Sequence, residues 1–287
     1  MNELLLLGAR SLVADALCEH LQAQGRPFLA ASRQAASLSP SWIVPGQAAI
    51  HCHTAISLLY LPALLPYLDW LQASACRRLV ALSSTSRFSK LASSVREERA
   101  TAQALGEAEA ALLTWAEKAG IDCVILRPTL IYGRGRDHNL STILRFAART
   151  HCVLLPLGAG GRRQPIHADD VATACLRALD AALPGRHAYD LPGGETLSYA
   201  AMLTRLLDLL DERVQRLHLP TGLLALGLRL LAHLPGFSHL TPAMAERLRE
   251  DLVFDAQAAI DAFGYEPRPF TPQVSDLPSG LGQRRHR

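Results

Sequence analysis

Gly8, Ser11 and Ala14 occupy the three small positions of a G-x-x-G-x-x-G turn. The turn lies between an apolar run, Leu4 to Leu7, and apolar residues at helical spacing: Leu12, Val13, Ala16, Leu17 and Leu21. A strand, a tight turn and a returning helix point backbone N–H groups and the positive helix head at a pyrophosphate. Only the first small position is glycine, and an ordinary strand–helix unit carries the same pattern. A second group stands at the end of the next strand, Pro27 to Ser32. An acidic residue there would take a ribose 2′-hydroxyl, but the chain has Ser32 and Arg33, with Arg10 in the turn. Guanidinium groups at this point suit a 2′-phosphate, so the expected cofactor is NADP rather than NAD. A third group, Ser83, Ser84, Thr85 and Ser86, follows the apolar run Arg78 to Leu82. Hydroxyls at a strand's carboxyl end lie where ligands bind in parallel sheets, and they also serve as caps and turns.

The elements that must hold these groups alternate. Further strands are expected at Trp42–Val44, Ala55–Tyr60, Arg78–Leu82, Cys123–Leu126 and Tyr189–Leu191. Helices are expected from Pro62 to about Ala75, over Val95–Lys118 and His138–Thr150, from Ala168 onward, over Thr196–Leu210, Leu223–Leu234 and Pro242–Leu252, and after Asp255 up to Gly264. This alternation implies an α/β fold, a Rossmann-type doubly wound parallel sheet with a small helix-rich C-terminal lobe. The expected organisation is one domain over residues 1–277, its lobe built mainly from 134–165 and 192–277, then a disordered basic tail over 278–287.

Composition narrows the function classes. The 287 residues are 49% hydrophobic, enough for one large core, and the net charge of +3 is too mild to argue for nucleic acid. Cys18, Cys52, Cys76, Cys123, Cys152 and Cys175 are dispersed without a C-x-x-C pair, which suggests reduced thiols in a cytoplasmic protein and no metal site. The run Leu4–Leu7 has no basic stretch before it and reads as a strand rather than a signal peptide. No apolar run has the length of a membrane span. Leu219–Phe237 is apolar with only Arg229 charged, and packing inside the lobe is expected for it rather than an interfacial helix.

Six segments in order resemble the extended and atypical short-chain dehydrogenase/reductase superfamily, in its NAD-dependent epimerase/dehydratase-like branch. They are LLLLGARSLVA, SSTS at Ser83–Ser86, ILRPTLIYGRGRD at Ile125–Asp137, RRQPIHADDVA at Arg162–Ala172, YDLPGGETLSYAAML at Tyr189–Leu203 and FGYEPRPF at Phe263–Phe270. The resemblance implies that the turn Gly8, Ala9, Arg10, Ser11, Leu12 and Val13 holds the pyrophosphate, that Leu59 and Tyr60 line the adenine–ribose side, that Ser83 and Ser84 approach the nicotinamide ribose and substrate, and that Pro128 and Leu130 pack near the nicotinamide. It implies that Arg134, Arg136, Arg162 and Arg163 border a substrate lobe, where family members bind the phosphates of a nucleotide sugar. His167 and Asp170 fall in a motif that shapes the lobe junction. A homodimer through the helix after the fifth strand is compatible with that helix's alanine content.

The family's catalysis uses Tyr-x-x-x-Lys on this helix, the lysine lowering the tyrosine pKa. The helix here reads ERATAQALGEAEAALL. With Glu109 aligned to the acid that follows the lysine by four residues, Thr101 takes the tyrosine position and Leu105 the lysine position. No tyrosine occurs from Val95 to Lys118. Glu98, Glu107 and Glu109 read as a solvated helix face. Ser84, Thr101 and His138 are the remaining candidates for acid–base work. Two functions follow: an NADP-dependent oxidoreductase or sugar-nucleotide epimerase using other groups, or a non-catalytic NADP-binding regulatory or accessory protein.

Overall fold

The computed structural model describes residues 3–32, 42–46, 50–137, 140–156, 160–210, 214–220, 222–223, 226–227 and 248–281. In chain order the elements are β1 (Glu3–Leu7), α1 (Leu12–Ala23), β2 (Phe28–Ala31), β3 (Trp42–Ile43), β4 (Cys52–Ser57), α2 (Leu68–Ala73), β5 (Arg78–Leu82), α3 (Ser86–Ser89), α4 (Arg96–Ala119), β6 (Asp122–Pro128) and β7 (Ile131–Tyr132). There follow α5 (Leu140–Thr150), β8 (Cys152–Pro156), β9 (Arg162–Arg163), β10 (Ile166–His167), α6 (Ala168–Asp180), β11 (Arg186–Leu191), β12 (Leu197–Ser198), α7 (Tyr199–Leu207), β13 (Gln215–Leu219) and α8 (Gln257–Phe263). Seven strands form one sheet in the order β11-β6-β5-β4-β1-β2-β3, and every pairing in it is parallel.

The sheet is buried on both faces, which is why its strands are apolar runs rather than alternating ones. In β1, Leu4 and Leu6 face a core with α1, α6 and α8, and Leu5 and Leu7 face a second core with α2 and α4. A third core under Tyr132, Leu144, Met202, Leu203 and Phe270 fills the lobe.

Several boundaries differ from expectation. The fourth strand begins at Cys52 and ends at Ser57, so Leu59 and Tyr60 lie in the loop beyond it. The chain after Pro62 makes two short 3-10 turns before α2, because Pro66 lacks the N–H that a continuous helix needs. The lobe contains a parallel pair, β8 with β13, and an antiparallel pair, β9 with β12, that the helix-rich reading did not include. Residues 248–250 form a turn and bend, and 251–252 belong to no helix or strand. Most of the stretches Leu219–Phe237 and Pro242–Leu252 lies outside the described residues. Leu223 and Leu226, which are described, stand 56% and 54% exposed rather than packed. Pro278–Leu281 close a turn that rests Leu281 against the third core, so these residues belong to the lobe; 282–287 lie outside the described residues.

Candidate functional site

The carboxyl ends of β1, β4, β5 and β6 open into a cleft of about 560 Å³. One wall is Arg10, Ser11, Leu12 and Val13, at the head of α1; the next is Leu58 to Leu61; the far side is Ser83, Ser84, Ser86, Thr101, Leu105, Pro128 and Ile131, with the exposed Arg136 and the buried Asp137 completing the lining. Its size and position are those of a small-molecule site in an open parallel sheet. A groove of about 690 Å³ lies among α1, α6 and α8, away from the strand ends, and includes none of the expected site residues.

The turn before α1 is built as the small-residue spacing requires. Gly8 has φ +76°, and a Cβ there would stand 3.0 Å from the backbone of Leu58 and Leu59. Ser11 is the N-cap of α1, its Oγ accepting from the Ala14 N–H at 3.2 Å. Ala14 is fully buried at the third small position. Gly8 and Ala9 donate their N–H groups to the Ala31 carbonyl and lie beneath the cleft rather than in its lining. The residues facing the space are therefore Arg10 to Val13. Ser32 sits at the end of β2, outside the lining, and donates its N–H to the Ile43 carbonyl. Arg33 and His138 lie outside the described residues.

On the far wall the hydroxyls of Ser83, Ser84 and Thr101 already have partners. Thr101 Oγ1 donates to the Glu97 carbonyl at 2.9 Å, and Leu105 lies 2% exposed one turn further on. Ser84 Oγ accepts from the Ser86 N–H. Asp137, a carboxylate at the cleft that sequence reasoning passed over, caps α5 by accepting from Leu140 N–H, Ser141 N–H and Ser141 Oγ. A buried Asp before a helix start was its only signal.

Ser83 leads to a cluster that the sequence reading missed. Its Oγ donates to Glu109 at 2.6 Å. Glu109 is 1% exposed and also accepts from Arg127 Nε at 3.0 Å and Nη2 at 2.7 Å, and from Arg87 Nη1. Burial pushes this carboxyl up, but the hydrogen bonds from Arg127 and Ser83 and the charges of Arg127 and Arg87 outweigh it and hold the group below its ordinary range. Glu109 is thus a buried ion-pair centre and not part of a solvated face. Its register was the available signal: Ala102, Leu105, Glu109, Leu112 and Ala116 form one buried stripe at helical spacing. Glu107 is exposed as expected, whereas Glu98 is half-buried and accepts from Ser93 Oγ. The Phe88 ring centroid lies 4.8 Å from the Arg87 guanidinium and 5.3 Å from that of Arg127.

The four arginines expected at a substrate's phosphates do not converge. Arg134 bonds Glu19 at 2.7 Å and Asp169 at 2.8 Å. Arg162 pairs with Asp251, and Arg163 is buried with its Nη1 on the Glu250 carbonyl. These three tie segments of the fold together, and only Arg136 reaches the cleft. Leu130 packs against the lobe core instead of lining the cleft. His167 contacts Asp276 at 3.0 Å and Arg268 bonds Asp170 at 2.8 Å, so the 167–170 motif docks the C-terminal segment.

Residues 63–191 match the NAD dependent epimerase/dehydratase family. A UDP-glucose 4-epimerase of Vibrio cholerae is 24% identical over 163 residues, 56% of this chain and 47% of that protein. The matched stretch spans less than half the length of the curated relatives. Among solved structures, UDP-N-acetylglucosamine 4-epimerase from Bacillus cereus superposes with a TM-score of 0.70 at 11% identity, covering 96% of this chain and 94% of that one. MoeE5 in complex with UDP-glucuronic acid and NAD superposes with a TM-score of 0.68 at 15% identity, covering 96% and 97%. At these identities the superpositions establish the fold.

Proposed function

We propose that the chain, whose residues 63–191 match the NAD dependent epimerase/dehydratase family, binds NAD(P) in the cleft at the sheet's carboxyl edge, beside a nucleotide sugar or similar small molecule. The observation that carries this reading is the Gly8 turn. Its positive φ and its 3.0 Å approach to Leu58 and Leu59 bring the head of α1 to the cleft, which is what a dinucleotide's diphosphate needs. Arg10 to Val13 would hold the diphosphate, Leu59 and Tyr60 the adenosine side, and Ser83, Leu105 and Pro128 the nicotinamide side. Arg10 in the lining, with Arg33 next in sequence to Ser32, supports NADP over NAD. The MoeE5 complex, which contains NAD, shares the fold. When bound, the nicotinamide supplies hydride acceptance and return. The far wall then has to move the proton at the substrate's oxygen. Ser83 Oγ, tied as a donor to Glu109, presents only its acceptor face.

A specific observation favours a second reading, a protein that keeps the cofactor without turning it over. Thr101 spends its hydroxyl on the Glu97 carbonyl, and Leu105 places an aliphatic side chain where the family's ammonium stands. Neither group holds a transferable proton near neutral pH. On this reading the chain is a non-catalytic NADP-binding regulatory or accessory protein.

Calorimetric titration of the purified protein with NADPH and NADH tests the first reading, with NADPH expected to bind and NADH expected to bind more weakly. No binding of either refutes it. A panel of alcohols and carbonyl compounds, followed by nicotinamide absorbance, separates the two readings, since any enzymatic hydride exchange excludes the non-catalytic one.

A further inference from the structure

Arg136 makes contacts that a substrate-lobe arginine has no need of. Its Nη1 pairs with Asp15 in the first turn of α1, and its Nη2 donates to the Arg10 carbonyl at 3.3 Å. The guanidinium therefore lies over the turn from Arg10 to Leu12, across the mouth of the cleft, and its side chain remains 53% exposed. The loop that carries it is anchored at its base. Gly133, Arg134 and Gly135 all have positive φ, at 113°, 55° and 62°. The Arg134 N–H donates to Asp276 Oδ1 and the Gly135 N–H to the Asp276 carbonyl. The Arg134 side chain is clamped between Glu19 and Asp169. With the backbone before it held at Arg134 and Gly135, Arg136 moves chiefly through its rotamers.

Asp15 is the other half of the arrangement. A carboxylate in a helix's first turn interacts favourably with the helix head, but there it repels an approaching phosphate. Two of the turn's three small positions are Ser11 and Ala14, so the backbone offers less close approach than three glycines would. A movable guanidinium supplies the missing charge.

We propose that Arg136 is the counter-charge for the dinucleotide's diphosphate: the guanidinium releases the Asp15 carboxylate and takes the phosphate oxygens, closing a strap over the turn. The diphosphate carries more charge than one carboxylate and offers oxygens that match the planar fork. This inference rests on the cofactor reading above and adds to it a residue and an exchange.

The test is a set of NADPH affinities by calorimetry for the wild type, Arg136→Ala, Arg136→Lys and Asp15→Asn, with circular dichroism confirming each fold. Loss of one charge-assisted contact to phosphate weakens binding by about tenfold or more. Arg136→Lys recovers part of that, because a point charge lacks the fork. Asp15→Asn moves the other way: it frees Arg136 and removes a like charge, so affinity rises by about threefold or more. Adenosine 2′-monophosphate, which lacks the diphosphate, serves as the control and is expected to bind all four proteins alike. If the wild type binds neither NADPH nor NADH, the cofactor reading fails and this inference falls with it. If the wild type binds NADPH while Arg136→Ala and Asp15→Asn stay within twofold of it, or if Arg136→Ala weakens the control ligand equally, the exchange is wrong and the cofactor reading stands.

Discussion

Replacing Glu109 by alanine leaves Arg127 without its main partner inside the fold. Arg127 is 15% exposed and Arg87 28%, against 1% for the carboxylate between them. Removing one member of a buried pair costs about 3–5 kcal/mol, chiefly through the charge left behind. Both guanidinium groups reach some water, which places this case at the low end, about 3 kcal/mol. For a domain of this size that corresponds to a fall in Tm of roughly 6–12 °C. Urea unfolding at pH 7 measures it. The same group makes a signed pH prediction. Its folded pKa is held below the ordinary value, so its contribution is present above roughly pH 4–5 and is lost as pH falls through the depressed folded value. Asp190, raised by burial despite Arg127, works in the opposite sense, since its protonation as pH falls favours the fold. Glu109→Gln, which keeps the shape and removes the charge, is therefore expected to flatten the loss of stability below pH 5. Pairing Glu109→Leu with Arg127→Met is expected to cost less than the two single changes summed. A Glu109→Ala protein within about 1 kcal/mol of wild type, with an unchanged acid limb, would refute the argument.

Gly8→Ala forces a side chain into φ +76° against the Leu58 and Leu59 backbone; about 1–2 kcal/mol of stability should be lost, with NADPH binding weakened. Urea midpoints and calorimetry read the two effects. Gly135→Ala sets a Cβ 2.2 Å from the Leu277 carbonyl, so the C-terminal segment undocks, at a cost of about 3 kcal/mol, and exposure of 270–281 shows in limited proteolysis. Thr101→Tyr combined with Leu105→Lys restores the family's pair on a face that already borders the cleft. Hydride exchange with an alcohol panel is expected in that double variant where the parent shows none, and its absence despite NADPH binding would mean that the substrate side has diverged too.

Much of the sheet was legible because parallel strands are buried on both faces and announce themselves as short apolar runs, such as Leu4–Leu7 and Arg78–Leu82. The α4 helix and its stop were legible from periodicity and from Gly120, which takes the left-handed conformation past the last turn. What escaped were features that depend on partners distant in sequence. The strand Gln215–Leu219 alternates weakly and is mostly exposed, and only its pairing with Cys152–Pro156 makes it a strand. Glu109 reads as surface by residue type, and its burial is intelligible only once Arg127 and Arg87 stand beside it. The arginines near the lobe read as free cations because Asp251, Glu19 and Asp169 lie 89, 115 and 35 residues away from them.

These partners bear on what the chain has kept. The ionic groups around the cleft are spent on holding walls in place: Arg134 fixes the loop under Arg136, Asp137 caps α5, and Glu109 pins Ser83 to α4. Each contact preserves the shape of the cleft, and none supplies a proton at the position of Thr101 and Leu105. Shape and acid–base chemistry are separable because different residues carry them. The Gly8 approach and the Glu109 cluster are parts of the packed fold, where a change costs stability, whereas Thr101 and the buried Leu105 fill their positions on α4 with side chains that pack but have no proton to transfer. Gly8 at φ +76° serves the packing of the turn against Leu58 and Leu59 as well as the approach of a diphosphate. The turn's survival is therefore common to a ligand-binding chain and to a bare scaffold, and affinity for NADPH is the property that separates them.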